Sequence, residues 1–212
     1  MNDQYYTAEP SSASRPVETA FAFRGRELKF VTDAGVFSRG ELDQGTRVLL
    51  DALPDLTGVE ELLDLGCGWG AIGVSLAAAY PGLRVTMADV NRRALGLAGA
   101  NAAANGAADR CGTVESDGFA ALAARRFDAV VTNPPIRAGK ATIYRMFEEA
   151  RAHLRPGGAL YLVIRKQQGA ESCIRYLKTL YARVEKLDRS GGFWVIRAEG
   201  ALENGGEDDV QQ

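Results

Sequence analysis

One histidine, His153, and three scattered cysteines, Cys67, Cys111 and Cys173, are all that the 212 residues offer as soft metal ligands or cross-links. An odd number of widely spaced cysteines beside a single histidine favours neither a disulfide framework nor a zinc site. No apolar run approaches the ~18 residues that span a bilayer. The start, Met1-Asn2-Asp3-Gln4-Tyr5-Tyr6, lacks the basic and apolar regions of a secretion signal. No internal repeat is visible. These absences set aside metal-dependent, disulfide-stabilised and membrane-spanning classes, and a cytoplasmic protein with no metal and no membrane partner is expected. Net charge is also scarce. The formal value is −2, yet Glu199, Glu203, Glu207, Asp208 and Asp209 lie in a stretch without Lys or Arg, and residues 1–198 alone carry +3.

What is present fits one globular domain. Hydrophobic residues make up 46% and charged residues 25%, and the length is sufficient to bury a substantial core. Residues 1–16, Ser-rich with Pro10 and Pro16, and the acidic, glycine-rich residues 199–212 are expected to be disordered. They flank a single domain over 17–198. Within it, residues 20–24 and 27–31 alternate with the strand period around Gly25 and predict a β-hairpin. Residues 42–53 have helical spacing, so 17–58 form an extension before a core over 59–198. The core reads as five strand–helix repeats, whose apolar strands imply a buried parallel sheet. The clearest helix places Ile143, Met146, Phe147, Ala150 and Leu154 on one face, and Arg155-Pro156-Gly157-Gly158 stops it. A helix over 170–180 precedes strands over 183–187 and 193–198. Their link, residues 188–192, is too short for a parallel crossover, so they form an antiparallel hairpin.

Two segments carry chemistry. Asp64-Leu65-Gly66-Cys67-Gly68-Trp69-Gly70 follows a short apolar strand and precedes a helical stretch, so the glycines let the backbone approach a ligand closely. About 20 residues on, a second strand ends on Asp89, where a nucleoside's ribose hydroxyls are gripped in nucleotide folds. Gly66, Gly68 and Ala71 also match the dinucleotide pattern, which keeps a nicotinamide-dependent oxidoreductase open. Asp64 and Asp117, however, add charges that would repel a diphosphate. Asp64, Asp89 and Asp117-Gly118 suit a ligand with an ammonium, ribose hydroxyls, an adenine amine and a sulfonium. Taken singly, each Asp could be a helix cap or turn residue.

The second segment is Asn133-Pro134-Pro135-Ile136, at the end of the strand-like run 127–132, the end at which open α/β sheets bind ligands. The two prolines fix φ and remove two backbone donors, and Pro134 restricts Asn133. The result is a stiff elbow offering one amide and bare carbonyls to a substrate that brings its own donors, such as a planar –NH2. As a bare tetrapeptide it could equally be an ordinary loop exit. His153 suits the end of a helix, and Cys67 is read as small packing filler within the glycine turn. Trp69 fits a pocket wall or a core cap equally well.

These motifs in this order resemble the class I S-adenosylmethionine-dependent methyltransferases. Within them the chain is similar to the "methyltransferase small" group, which includes guanine 2-amino methyltransferases of small-subunit ribosomal RNA. Gly35-Val36-Phe37-Ser38, Leu42-Asp43-Gln44-Gly45-Thr46, Arg137-Ala138-Gly139-Lys140 and Lys166-Gln167-Gln168-Gly169-Ala170 extend the match, which covers residues 17–198. Larger members carry a degenerate second copy of the domain in front, for which this chain is expected to have no room. The resemblance implies a Rossmann-like, seven-stranded, mostly parallel sheet with an antiparallel C-terminal hairpin strand and helices on both faces. It implies S-adenosylmethionine bound by Asp64, Gly66, Cys67, Gly68, Gly70, Asp89, Val90, Asp117, Gly118 and Asn133, and catalysis at Asn133, Pro134, Pro135 and Ile136. Phe37, Arg137 and Lys140 are expected to meet substrate. Ile136 stands where many relatives have an aromatic, so base clamping passes to an apolar shelf at Ile136 or to Phe37. The implied partner is ribosomal RNA or the small subunit, and the protein is expected as a monomer or weak homodimer. A glutamine amide of a protein, or adenine or cytosine in DNA or RNA, would fit the same elbow, and an inactive RNA-binding module is the remaining alternative.

Overall fold

A computed structural model describes residue 10 and residues 12–201. Nine strands and five α-helices follow in the order β1 (Val17–Phe23), β2 (Arg26–Thr32), α1 (Gln44–Ala52), β3 (Glu61–Leu65), α2 (Ala71–Ala79), β4 (Arg84–Asp89), α3 (Arg92–Ala104), β5 (Cys111–Glu115), β6 (Phe127–Thr132), α4 (Lys140–His153), β7 (Leu154–Arg165), α5 (Ala170–Leu177), β8 (Tyr181–Ser190) and β9 (Phe193–Ala201). The core strands form one seven-stranded sheet in the order β5-β4-β3-β6-β7-β9-β8. The first five run parallel, while β9 is antiparallel to both β7 and β8. Chain order reverses direction between β3 and β6, which places the switch point of the sheet, and hence its crevice, there. The expected reversed hairpin is present. Its turn is only Gly191-Gly192, both at positive φ, because β8 extends to Ser190 opposite Phe193. Two consecutive positive-φ residues suit the tight turn that matches strand twist.

Strand period divides the core in two. Ala129 and Val131 of β6 and Ala159, Tyr161 and Val163 of β7 face α1, α2, α3 and the β1–β2 hairpin. Val130, Leu160, Leu162 and Ile164 alternate with them and face α4 and α5, joined by Phe127, which a register irregularity before Ala129 turns to the same side. The central parallel strands β3, β4 and β6 are largely buried on both faces, whereas the edge strand β5 is half-buried to exposed along its length. The hairpin docks through asparagine side chains. Asn101 accepts from Val31 N (2.8 Å) and donates to Val31 O (3.0 Å), and Asn105 accepts from Lys29 N (3.0 Å). These amides supply the pairing that the free edge of β2 would otherwise lack.

Three expectations are corrected. The link between β5 and β6 is not a helix: residues 118–124 run as turns, closed by bonds such as Leu122 N to Phe119 O (2.9 Å) and Arg125 N to Leu122 O (3.0 Å). Burial of Phe119 and Leu122 anchors the segment without a full helical period. The tail does not begin at 199, because Glu199 and Ala201 pair with Arg183 and Tyr181 in the sheet, and Glu199 forms ion pairs with Arg183 and Arg197. Residues 202–212 lie outside the described residues. The arm 1–16 is ordered in its described part: Ser14 Oγ and Arg15 N donate to Asp33 at 2.7 and 2.5 Å, and Arg93 donates to Ser12 O at 2.8 Å. Burial raises the Asp33 carboxyl, but these hydrogen bonds and Arg93 outweigh it and hold the group below its ordinary value. Residues 1–9 and 11 lie outside the described residues. Among the described residues no helix is long and apolar enough to cross a membrane.

Candidate active site

A cavity of about 590 Å³ opens at the carboxyl ends of β3, β4 and β6. One wall is the glycine turn after β3. Gly66 N and Cys67 N both donate to Ala88 O, at 2.8 and 3.0 Å, which ties the turn to β4. Asp89, the last residue of β4, accepts from Gly68 N through Oδ2 (2.8 Å) and from Asn91 N through Oδ1 (2.9 Å). Each oxygen retains acceptor capacity, and Asp89 lines the cavity with Gly66, Cys67, Gly68 and Val90. Burial raises the Asp89 carboxyl above its ordinary value, against the hydrogen bonds from Asn91 and Gly68. Gly66 and Gly68 have φ of +73° and +54°, and a Cβ on either would meet no protein atom within 4 Å. Their glycine character therefore serves the left-handed backbone at the cavity, not packing.

Asp64 does not reach this cavity. It is 0% exposed, and its Oδ2 accepts from Gly73 N of α2 at 2.8 Å. Oδ1 has no hydrogen-bond partner among the described residues. Burial raises its pKa to about 7, with the Gly73 bond opposing and Asp89 adding to the rise. A neutral carboxyl tolerates an unpartnered buried oxygen far better than a charged one, so the expected direct hold on an ammonium is replaced by support for the turn. Gly70 likewise lies outside the cavity, starting α2 at φ +87° where a Cβ would press on Ala98 at 3.1 Å. The Cys67 thiol is pushed well up by burial and by Asp64 and Asp89, which suits a neutral wall. His153 stacks on Phe119 at 4.5 Å, and its Nδ1 lies 2.8 Å from Arg125 O, a packing role.

The opposite wall is the elbow. Thr132 Oγ1 donates to Leu65 O at 2.7 Å, locking the end of β6 to the end of β3. Asn133 then commits its amide nitrogen to two other cavity-lining residues: Nδ2 donates to Asp43 Oδ2 and to Thr46 Oγ1, both at 3.0 Å. Asp43 is the N-cap of α1 and also accepts from Thr46 N at 3.0 Å. A carboxylate is acceptor-only, so it dictates which way the Asn133 amide faces. Both amide hydrogens are used, and Oδ1 is left as an open acceptor in a residue that lines the cavity. Pro135 O receives Ala138 N at 2.8 Å, whereas no described residue donates to Pro134 O. The sequence motif contained Asp43 and Thr46 without assigning them a role, because their partner Asn133 lies 90 and 87 positions away in the chain.

Pro134, Pro135, Asp117, Gly118, Phe37 and Arg137 line the same cavity, while Ile136 and Lys140 do not. Those two border a separate hollow of about 220 Å³ together with Tyr144 and Gln168. Ile136 packs toward the α4–α5 core, since the 3-10 turn at 136–138 rotates it out of the mouth. It offers no shelf inside the cavity. Phe37, at 37% exposure, is the exposed large hydrophobic of the described residues. Its carbonyl is held by Trp69 Nε1 at 2.9 Å, so Trp69 both lines the cavity and packs against Phe30 at 5.1 Å. Asp117 is exposed and pairs with Arg145 at 2.7 Å.

The cavity volume lies within the usual range for small-molecule sites. An acid at the β4 end, an exposed glycine turn and the Asp117-Gly118 edge fit a nucleoside carrying a short charged chain. The added antiparallel strand β9, inserted before β8, departs from the dinucleotide-binding sheet order. Fold and site together define an S-adenosylmethionine-dependent methyltransferase domain of class I, and S-adenosylmethionine is its cofactor. Residues 27–197 match the model of the methyltransferase small domain, and the chain belongs to that family. An uncharacterised Bacillus subtilis protein, YbxB, is 38% identical over 94% of this chain and 99% of its own length. Ribosomal RNA small subunit methyltransferase C of Hahella chejuensis is 43% identical over 64% of this chain and 40% of the relative. Among solved structures, the Thermus thermophilus 16S rRNA N2 G1207 methyltransferase, in complex with AdoMet and guanosine, superposes with a TM-score of 0.77. It is 29% identical over 90% of this chain and 52% of that one. The chain thus spans about half the length of the two rRNA methyltransferases it matches.

Proposed function

We propose that this chain transfers a methyl group to an exocyclic amine, the 2-amino group of a guanine in small-subunit ribosomal RNA, in the cytoplasm. The observation that carries the reading is the pinned Asn133 amide, whose nitrogen is committed to Asp43 and Thr46 and whose oxygen is open. S-adenosylmethionine, when bound, supplies a methyl already activated by its sulfonium. Asp89, Gly66 and Gly68 would hold its nucleoside end, with Asp117 and Gly118 at the adenine edge. The protein's task is alignment. A guanine amino group is a weak nucleophile because its lone pair is delocalised into the ring. Acceptance of its two N–H bonds by Asn133 Oδ1 and Pro134 O favours a tetrahedral nitrogen with a localised lone pair. That interaction strengthens towards the transition state and so belongs to turnover. No strong base is required before attack, since the amine proton becomes acidic only after transfer. Phe37, at the mouth, supplies the apolar face for a base drawn out of its stack. The likeness to the guanosine-bound Thermus enzyme supports this substrate class.

The test is methylation of small subunits from cells lacking the gene, followed by nucleoside mass spectrometry. N2-methylguanosine in 16S RNA is expected. A methylated adenine, cytosine or glutamine amide, or a mark confined to large-subunit RNA, would overturn the assignment.

A further inference from the structure

The two ends of the sheet treat their cations differently. At the amino ends of the strands, Arg84 pairs with Glu61 at 2.7 Å, Arg155 with Asp128 at 3.0 Å and Arg125 with Glu61 at 4.0 Å, leaving Arg126 there without an ion pair among the described residues; at the carboxyl ends, Arg92 pairs with Glu115 and Arg145 with Asp117. On the β6–β7–β8 side of that end, however, Arg137, Lys140, Arg165, Lys166, Lys186 and Arg189 form no ion pair with any described residue. Several are held instead by aromatic faces. Lys186 Nζ lies 3.4 Å and Arg189 Cζ 5.9 Å from the Trp194 ring centroid, and Arg165 Cζ lies 5.0 Å from that of Phe193. A cation–π contact fixes a charge in place without cancelling it, so these side chains remain available to an anion.

This group is continuous with the cavity. Lys166 N donates to Gly192 O at 2.8 Å, joining the end of β7 to the β8–β9 turn. A Cβ on Gly191 would collide with Gln44, and one on Gly45 would lie 2.9 Å from both Phe193 and Asp43. The hairpin turn therefore abuts the first turn of α1, which holds Asp43 and Thr46. On the other side, the hollow lined by Lys140 and Gln168 bridges the elbow to the start of α5. Burial and the neighbouring Arg189 and Lys166 push the Lys186 ammonium below its ordinary value, with Glu171 opposing, so like charges crowd at this edge.

We infer that Lys166, Lys186 and Arg189, continued by Arg165 and Lys140, form a track for the phosphate backbone of the RNA whose base enters the cavity. The inference rests on the RNA reading of the proposed function. Backbone contacts of this kind set register and orientation while the cavity reads the base. Six unpaired cations on one side of the cavity, against Arg126 at the amino ends of the strands, give the approaching polyanion a preferred side.

The full-length chain, saturated with S-adenosylhomocysteine, is titrated with a fluorescein-labelled 30S-derived RNA hairpin over a range of salt concentrations. Lys166→Gln/Arg189→Gln removes two exposed charges distant from the reacting atoms, and Arg84→Gln/Arg155→Gln serves as the control at the other end. The rim variant should bind RNA at least about tenfold more weakly. Its slope of log K against log salt should be shallower by about 1.4 to 1.8, at ~0.7 for each loop phosphate and ~0.9 for each stem phosphate no longer neutralised. Its affinity for S-adenosylhomocysteine and its melting temperature should match the wild type, and the control should bind RNA as the wild type does. If the wild type binds RNA and the rim variant binds it equally well with the same slope, the track is refuted while the RNA reading stands. An equal loss in both variants would refute it as unspecific charge. Weakened binding of poly-glutamate alone, with RNA binding unchanged, would assign the rim to an acidic protein. Absence of RNA binding by the wild type would remove the RNA reading itself, and the track with it.

Discussion

On the cofactor wall of the cavity, the bond that shapes the turn joins Gly68 to Asp89, 21 positions apart. On the elbow wall, Asn133 is fixed by partners 90 and 87 positions away. The first wall is assembled within one strand–helix–strand unit and uses backbone amides as donors. The second exists only once α1 has docked against the end of β6, and it relies on side chain meeting side chain. The contrast teaches that the two walls are built separately; on the proposed reading of binding at the first and alignment at the second, damage to one should leave the other working.

The largest expected effect breaks the elbow wall. Asn133→Ala should lower single-turnover methylation at least about 100-fold, the scale for losing one preorganised polar group. Isothermal titration with S-adenosylmethionine should show nearly unchanged affinity. Equal losses in both measurements would mean that the two walls are not independent.

Next comes the converse. Asp89→Ala removes the acceptor shared by Gly68 and Asn91 and should weaken S-adenosylmethionine binding by about 1.5–3 kcal/mol, the range for hydrogen bonds to charged groups. Turnover at saturating cofactor should fall much less. Unchanged affinity in the folded variant would end the assignment of Asp89 to the cofactor.

A smaller effect should follow from freeing the Asn133 amide. Asp43→Ala is expected to reduce turnover on the order of tenfold, about 1.4 kcal/mol of barrier, and to cost about 1 kcal/mol of stability through the lost cap. Asp43→Asn keeps both a cap and a carbonyl acceptor, so it should restore most of both. If the alanine variant loses stability but not turnover, Asp43 acts only as a helix cap.

The smallest effect concerns the support beneath the cofactor wall. The Asp64 pKa is raised to about 7, from 3.8, chiefly by burial. The native state therefore keeps a proton that the unfolded chain releases, and the unfolded state binds fewer protons between those values. Asp64's contribution to stability is then greatest below its unfolded pKa and is lost as pH rises to about 7. Asp64→Asn should flatten that decline, as read from urea midpoints across the same pH range. An identical slope in the variant would show that Asp64 ionises freely in the fold.

The parts legible from sequence are those whose physics is local. The glycine turn, the acid ending β4 and the proline-stiffened elbow each declare themselves within a few residues, because backbone conformation is decided by adjacent side chains. Hydrophobic period placed the strands, and a link too short for a crossover forced the C-terminal hairpin. The missing helix between β5 and β6 escaped because Phe119 and Leu122 satisfy a turn segment as well as a helix.

What only the tertiary structure decided is which of those local features face the same space. Asp64, next to last in β3, and Asp89, last in β4, are both acids at the ends of apolar strands, yet packing of α2 buries the first and leaves the second on the cavity. Ile136 follows Pro135 directly, but a single 3-10 turn takes it to another hollow. Asp43 caps α1, and only because β6 brings Asn133 within 3.0 Å does it also orient that amide. A chain specifies its strands and turns through neighbours in sequence. The identity of a side chain's partner depends on long-range docking, whose geometry is set by the whole core and written in no single segment.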